Sequence, residues 1–214
     1  FDEDLHIDNV GGTVSMIRLA EDLRVEKSQS VSLSADMYHS WGDWQGNLMI
    51  EGFFTDLADV FALKEIGFQD GVLIKERHNE SGARVFGGNL EGKVAWRDKV
   101  QVQAGLTAQN SRYKEARTWS DEGDVPETRK MFRTPDFYGY LSASYNPVKR
   151  MQLSLTGTYT GSMLIEHHAG FIDSNKSVET PDFWDLNFKI AYDFKIYSSF
   201  SLQLNAGVQN MLNY

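Results

Sequence analysis

The sequence contains little proline, the residue that interrupts β-strands, and no cysteine, the residue that cross-links small folds. Its 214 residues include no cysteine and only 4 prolines. The missing cysteine excludes disulfides and thiolate metal ligands, and scarce proline suits long strands, because proline removes a donor from a β-ladder. No apolar run approaches the roughly 18 to 20 residues that a membrane-spanning helix requires. The chain opens Phe1-Asp2-Glu3-Asp4 without an initiator methionine or a visible signal peptide, so we expect a processed chain or part of a longer one.

The sequence also contains fewer basic than acidic residues. The formal net charge is -9, and acidic residues concentrate in segments 1–26 and 121–127. This balance argues against nucleic acid as a partner. The mean hydropathy of -0.42 is that of a polar chain. A barrel in a membrane can have such a value, since only every second residue of its strands faces lipid.

Strict alternation of apolar and polar residues is the dominant pattern. Met151–Thr160 and Phe200–Leu212 show it most clearly. Six further segments follow the same pattern: Ser30–His39, Asn47–Leu57, Arg84–Trp96, Val100–Gln109, Tyr138–Asn146 and Trp184–Phe194. The pattern predicts about eight strands, many of about 10 residues or more. Ordinary strands peak at about 5 or 6 residues, whereas strands that cross a membrane need about 9 to 11.

The connections alternate between short turns and long polar loops. The short turns are 40–46, 97–99, 146–150 and 195–199, and the long segments are 58–71, 116–135 and 161–181. We read 72–96 as one very long strand. Aromatic residues mark both strand ends: Trp41, Trp44, Trp96, Tyr145 and Tyr197 near the short turns, and Phe137, Tyr138 and Tyr140 near the other rim. Aromatic girdles and this loop rhythm predict an all-β, antiparallel transmembrane β-barrel in the lipid of a bacterial outer membrane.

Four motifs resemble landmarks of the TonB-dependent receptor family. Asp22–Ser28 is similar to N-L-K-P-E-K-S, which leads into a descending strand, with Val25 in place of the usual proline. Glu51–Leu57 looks like the A-F-Y-T-D-I strand, and Arg77–Glu91 resembles N-x-G-x-A-x-x-x-G-V-E-L-E. Gly207–Asn213 resembles G-V-x-N-L-F-N, which precedes the last extracellular loop. The order and spacing of the four motifs identify the whole chain as part of this family's barrel.

The resemblance implies a 22-stranded barrel filled by an N-terminal plug domain. Such receptors import large, scarce nutrients, with energy that reaches the plug through TonB. Residues 1–214 would form the C-terminal portion of the barrel, without the plug, the TonB-contacting segment or the final strand. The loop sizes are closer to Bacteroides-type siderophore or cobalamin receptors than to glycan importers.

Candidate ligand-binding residues lie in the segments that the resemblance places outside the cell. Arg117 and Trp119 combine a cation with an aromatic ring near a loop base, beside Arg112, Tyr113 and Lys114. Such groups can stack on or pair with a ligand, although plain packing at a strand end is the simpler interpretation. His167 and His168 form the best-looking imidazole pair for haem or a metal, although two solvated loop histidines are the simpler interpretation. The acidic run 121–124 lacks the spaced ligands of a calcium loop and is read as a solvated loop.

Charged residues within the predicted strands belong to the polar face. They are Asp36, Glu51, Glu91, Lys93, Asp185, Lys189 and Asp193. Charge facing lipid is costly, so these side chains should face the lumen. We expect them to hydrogen-bond the plug or trapped water, in preference to forming a proton path.

The sequence predicts binding and transport, not catalysis. It contains no G-x-S-x-G elbow, no phosphate loop and no metal-ligand spacing, and no cofactor is expected. The expected ligand is a ferric siderophore, haem or cobalamin. The alternatives are a plain porin-like or translocator barrel, a soluble β-rich glycan-binding domain, and a barrel hydrolase.

Overall fold

The computed structural model describes residues 7–10, 13–120, 125–167 and 172–212. These residues form 15 strands: β1 (Ile7–Val10), β2 (Thr13–Leu19), β3 (Lys27–Trp41), β4 (Trp44–Ala58), β5 (Val60–Gln69), β6 (Val72–Glu80), β7 (Ala83–Trp96), β8 (Val100–Arg117), β9 (Thr128–Lys130), β10 (Phe137–Tyr145), β11 (Met151–Thr160), β12 (Leu164–His167), β13 (Lys176–Glu179), β14 (Phe183–Tyr197) and β15 (Phe200–Val208). Within these ranges no helix is long and apolar enough to span a bilayer.

Eight long strands build one antiparallel sheet, which we call the main sheet. Their order is β3-β4-β7-β8-β10-β11-β14-β15, and the short strand β9 pairs with β8. This confirms the predicted strands, with some ends moved: β8 continues to Arg117, and β15 ends at Val208. The sheet is open, with β3 and β15 at its edges, so it forms part of a barrel wall.

The register keeps the two faces of the main sheet chemically distinct. Directly opposed residues share a face, as Leu33 and Gly52 do on one side and Ser34 and Glu51 on the other. We call the apolar side the outer face and the polar side the inner face. On the outer face Leu33 is 82% exposed and Ile50 is 50% exposed.

The described residues bury very little apolar surface. Only three hydrophobic residues among them, Ala83, Val125 and Ala191, are buried. An exposed apolar patch of this extent marks an interaction surface in a folded protein. Because a bilayer supplies an apolar environment, lipid is the medium that covers the outer face.

A row of aromatic side chains follows the outer face at the end of the short turns. Cα partners link Trp41 to Trp44, Trp44 to Trp96, Trp96 to Val100 and Val100 to Tyr145. The rings of Trp44 and Trp96 lie 6.1 Å apart. This row therefore has the placement expected of an interfacial girdle.

A second aromatic row crosses the outer face toward the long loops. It comprises Phe54, Phe86, Phe137, Tyr159 and Trp184, with Phe54 and Phe86 directly opposed. Phe54 lies ten positions beyond Trp44 (54 − 44), which matches the length of a membrane-crossing strand.

Two residues assigned to this rim from the sequence lie elsewhere. Tyr138 and Tyr140 pair with Thr107 and Gly105 on the inner face. Side chains alternate along a strand, so both rings point away from the row that contains Phe137.

The first short turn is tighter than predicted. Gly42 and Asp43 alone connect Trp41 to Trp44, and Gly42 has φ +62° at the glycine position of a type II′ hairpin turn. Arg97, in the neighbouring turn, donates a hydrogen bond to the Asp43 carboxylate and holds the pKa of that carboxyl below its usual value. The ion pair therefore persists as pH falls through the usual aspartate pKa, and is lost only below it.

The long-loop end contains strands that the sequence did not predict. β1, β2, β6 and β5 form a second sheet in that order, in which β2 and β6 run parallel. We call it the loop sheet. Segment 58–71, predicted as a loop, forms β5, and segment 161–181 contains the β12–β13 hairpin. Both loops are therefore shorter than expected.

The predicted long strand 72–96 is wrong, because it breaks at Ser81 and Gly82. β6 belongs to the loop sheet and β7 to the main sheet. Gly82 has φ +104°, and a Cβ there would lie 2.0 Å from the Leu57 carbonyl oxygen. Only glycine allows the chain to pass that close and change sheets.

Asn79 ties the loop sheet to the segment before β3. Its side-chain amide donates to the carbonyls of Arg24 (2.8 Å) and Asp59 (2.6 Å). Its side-chain oxygen accepts from the Arg24 backbone N–H at 2.5 Å. Asp59, at the corner between β4 and β5, has φ 55° and also pairs with the Arg24 guanidinium at 3.0 Å.

We predict that Asn79→Ala loosens the loop sheet while the main sheet stays folded. Each lost hydrogen bond contributes about 1 kcal/mol, so local opening should become easier by about 2 to 3 kcal/mol. Limited proteolysis of the folded full-length receptor should then cut within residues 59–80 at least tenfold faster. Asn47→Ala, which removes an amide bonded to Asp36 within the main sheet, is the control. An unchanged cleavage rate in Asn79→Ala would contradict the role of this amide.

Candidate ligand pocket and inner face

Hydrogen bonds connect polar side chains of three strands, β7, β8 and β10, on the inner face. Tyr140 donates to Glu91 at 2.6 Å, and the Gln103 amide donates to both Glu91 and the Tyr140 hydroxyl at 3.0 Å. The Tyr140 ring lies over Gly105, where a Cβ would be 2.4 Å from it. The absence of a side chain at Gly105 in β8 therefore makes room for the Tyr140 ring, whose hydroxyl donates a hydrogen bond to Glu91 in β7.

Two further groups of hydrogen-bonded side chains lie closer to β3 on the same face. Glu51 accepts from the Asn89 amide at 2.8 Å, and the oxygen of that amide accepts from Thr107 at 2.8 Å. Near the edge, Asp36 accepts from Asn47 at 2.5 Å. Neutral amides and hydroxyls are the hydrogen-bond donors to these carboxylates.

The structure places every charged residue predicted for the lumen on this one inner face. Besides Asp36, Glu51 and Glu91, these residues are Lys93, Asp185, Lys189 and Asp193. Asp185 accepts from Asn187 at 2.7 Å, and Asp193 accepts from Gln203 at 2.8 Å. Lys93 and Lys189 are exposed. Carboxylates outnumber lysines in this set, so the face is net acidic.

At the long-loop end, a cavity of about 670 Å³ lies between the β5–β6 hairpin, the end of β8 and the segments around β9 and β12. Its lining combines aromatic rings, cations and carboxylates, including Phe61, Arg77, Glu80, Arg117, Trp119 and Phe132. A concave pocket in which several charged and aromatic side chains converge is a candidate ligand site.

The charged groups of the pocket hold one another in place. Arg117 forms an ion pair with Glu80, and its guanidinium lies 3.7 Å from the centroid of the Tyr113 ring. Arg77 lies over the Phe61 ring at 5.9 Å. Cations supported by aromatic rings and a carboxylate are preorganised, so little side-chain entropy would be lost on binding an anionic, aromatic ligand.

Two of the four predicted ligand-binding residues line this pocket. Arg117 and Trp119 do so, and the Trp119 indole N–H donates to the Ser177 hydroxyl at 3.0 Å. His167 is exposed at the end of β12, opposite Lys176, and does not line the pocket, whereas its neighbour Glu166 does. His168 lies outside the described residues.

Sequence reasoning missed the side of the pocket formed by β5 and β6. Phe61, Arg77 and His78 come from a segment read as a loop and from the start of a supposed long strand. The apolar and charged mixture of Val60–Gln69 was the available signal. The acidic run 121–124 lies outside the described residues, and within the described ranges no cluster of histidine or carboxylate side chains could hold a metal ion.

The two-faced sheet defines a class of protein, an outer-membrane barrel, and comparisons with known proteins specify it. A family model described as "TonB dependent receptor-like, beta-barrel" matches residues 6–211. The chain therefore belongs to the TonB-dependent receptor family. No curated protein sequence matches it.

Solved structures agree with this fold. The ferric-catecholate import receptor Fiu of E. coli K12 has a TM-score of 0.62 and 18% identity, over 97% of this chain and 25% of that one. The FrpB iron transporter of Neisseria meningitidis (F5-1 variant) has 0.62 and 14%, over 95% of this chain and 30% of that one. The copper transporter OprC has 0.60 and 15%, over 91% and 26%. The chain thus spans about a quarter to three-tenths of the length of these structures.

Membership of this family indicates the cellular location of the protein and the general type of protein to which it belongs. TonB-dependent receptors are outer-membrane proteins of Gram-negative bacteria, and they are transporters, not enzymes. The short-turn end is therefore periplasmic and the long-loop end extracellular. The family also removes the reason for the porin-like, soluble and hydrolase alternatives.

Proposed function

We propose that this chain is the C-terminal portion of the barrel of a receptor that imports a ferric siderophore of the catecholate type, driven by TonB. The observation that carries the proposal is the extracellular pocket, where Arg77 and Arg117 lie among Phe61, Trp119 and Phe132. A ferric catecholate is an anion with aromatic rings, so cations and ring faces complement it. Fiu is described as a ferric-catecholate import receptor, and FrpB as an iron transporter.

The inner face supports the second part of the proposal, a plug domain inside the barrel. Its carboxylates at Asp36, Glu51, Glu91 and Asp185 would accept hydrogen bonds from cationic and amide groups of the plug. The contacts would be polar and solvated. Such contacts let the plug move without exposing a large apolar surface, which suits a domain that TonB pulls during import.

We predict that Arg117→Ala and Trp119→Ala each weaken binding of a ferric tris-catecholate by about 10- to 100-fold, the loss expected for a charge-assisted bond or an aromatic anchor. Fluorescence quenching or calorimetry on the full-length receptor in detergent measures this affinity. His167→Ala is the matched control, because the structure places that side chain outside the pocket. It should change the affinity less than about twofold.

Parallel titrations with haem, cobalamin and Cu²⁺ decide between ligand classes. Catecholate binding that is unaffected by both pocket variants would remove the pocket from the binding site. Tight binding of another ligand, together with failure of every catecholate tested, would overturn the ligand class while leaving the receptor assignment intact.

A further inference from the structure

Glu80, the last residue of β6, divides its carboxylate between two side chains of the extracellular pocket. Its Oε2 atom accepts a hydrogen bond from Arg117, and its Oε1 atom lies 4.0 Å from the Nε2 atom of His78. The side chains of these three residues are between 31% and 33% exposed. Partly buried charges interact more strongly than fully exposed ones, because less solvent screens them. The carboxylate therefore has two alternative partners within the pocket.

Both ring nitrogens of His78 face a hydrogen-bond acceptor. Nδ1 lies 3.5 Å from the backbone carbonyl oxygen of Glu76, and Nε2 faces the carboxylate of Glu80. A neutral imidazole has one N–H and can donate to only one of these acceptors, whereas the protonated ring donates to both. Histidine is the side chain that ordinarily changes charge between about pH 5 and 8. Protonation of His78 therefore strengthens its attraction for the Glu80 carboxylate.

The other charged groups around the pocket leave a small excess of positive charge. Glu76 pairs with Arg18 of β2 at 2.9 Å, and Glu166 of β12 pairs with Arg133 at 3.4 Å. When His78 is neutral, the cations that line the pocket exceed the carboxylates by one charge (3 − 2). The charged lining residues are Lys64, Arg77, Arg117, Glu80 and Glu166. Glu80 therefore cancels a large part of the positive potential that attracts an anion.

We propose that Glu80 determines how tightly the pocket binds an anionic ligand, because it competes with that ligand for Arg117. The inference rests on the function proposed above for the pocket. The Arg117 guanidinium, supported by the Tyr113 ring, is paired with Glu80 before the ligand arrives. An anionic ligand requires charge-assisted hydrogen bonds from the same guanidinium, and the carboxylate beside it repels the ligand. Protonated His78 draws the carboxylate away from Arg117, so the ligand binds more tightly.

The first test compares wild type with Glu80→Gln in the full-length receptor, titrated with a ferric tris-catecholate. Glutamine keeps the size of the side chain and an acceptor oxygen for Arg117 but removes the charge. We expect the variant to bind about tenfold more tightly at about pH 8, since the competing carboxylate is gone. A carboxylate that only orients Arg117 gives the opposite sign. Unchanged or weaker binding by Glu80→Gln would therefore overturn the proposal.

Glu65→Gln is the matched control for this comparison. Glu65 lies in β5 of the same hairpin and is also ion-paired, with Lys75 at 3.4 Å, but it does not line the pocket. Its loss should change the affinity less than about twofold. Tightening as large as that in Glu80→Gln would mean that the total charge of the loop sheet, and not competition at Arg117, sets the affinity.

The pH profile gives a readout that a purely structural role of Glu80 would not change. Lowering the pH from about 8 to about 6 should tighten binding about threefold more in wild type than in His78→Gln. The effect of pH on the ligand itself is common to both proteins and cancels in this comparison. In the Glu80→Gln background, His78→Gln should leave the pH profile unaltered. Identical profiles of wild type and His78→Gln would overturn the role of His78.

These outcomes are distinguishable from failure of the proposed function, which is shown by a wild type that binds no catecholate. Haem, whose propionates are anionic, is then the probe, and the same signs are expected. Tighter haem binding by Glu80→Gln would support the competition while the catecholate proposal falls. If the wild type binds neither probe, both proposals fall. Heat-modifiable electrophoretic migration confirms that each variant is folded.

Discussion

Replacing Ile50 by arginine should destabilise the barrel by about 2 to 4 kcal/mol, the cost of a cation at the midplane on the lipid face of a transmembrane barrel. Ile50 lies near the middle of β4, between the aromatic residues Trp44 and Phe54. Its side chain is on the outer face and is 50% exposed. The measurement is the free energy of unfolding of the full-length receptor in lipid vesicles, from guanidinium titration.

Met49→Arg is the control for this prediction, because it places the same charge one residue away on the opposite face. Met49 lies directly opposite Asp36 in β3 and Glu91 in β7. An arginine there has two carboxylates within reach, so the loss of stability should be at most about 1 kcal/mol. If the two variants cost the same, the assignment of the two faces is wrong.

Gly105→Val should be the most damaging change on the inner face. A Cβ at Gly105 would lie 2.4 Å from the Tyr140 ring, so the ring must leave its position. Tyr140 would then lose its bonds to Glu91 and Gln103. Overpacking and the lost hydrogen bonds together should lower the free energy of unfolding by about 3 to 5 kcal/mol.

Two variants separate the causes of that loss. Tyr140→Phe keeps the ring but removes the hydroxyl, so it should show only the hydrogen-bond part, about 1 to 2 kcal/mol. Gly52→Val adds the same side chain at a glycine with open space above it and should be nearly neutral. The steric interpretation fails if Gly105→Val costs no more than Tyr140→Phe.

The strands of the main sheet could be predicted because their pattern is local. Phe200–Val208 alternates without interruption, so its length and its two faces follow from counting. Val60–Gln69 was missed because it does not alternate: the apolar residues Val60–Leu63 are consecutive and are followed by Lys64 and Glu65. The break at Gly82 was missed for a different reason. A glycine within an alternating segment is compatible both with a strand that bends slightly and with a chain that leaves one sheet for another, and the sequence pattern is the same in both cases.

Only part of the lining of the candidate pocket could be predicted from the sequence. Arg117 and Trp119 stand close together in the sequence, and their chemistry suggested a ligand. Arg77 and Phe132, on the other sides of the same cavity, gave no comparable signal. Nothing local indicates that β6 pairs in parallel with β2, yet this pairing positions the β5–β6 hairpin beside the end of β8.

By itself the sequence determined that the chain crosses a membrane as long strands, and which side chains face lipid. The reason is physical. Within a bilayer every backbone N–H and C=O group must be hydrogen-bonded inside the protein, and the alternation of apolar and polar residues along each strand shows which face is apolar. The tertiary structure alone decided which distant residues meet. The pocket requires the loop sheet, and the Tyr140–Glu91 bond requires a glycine opposite the tyrosine. Both depend on strand register, which is set by pairing between segments far apart in the chain.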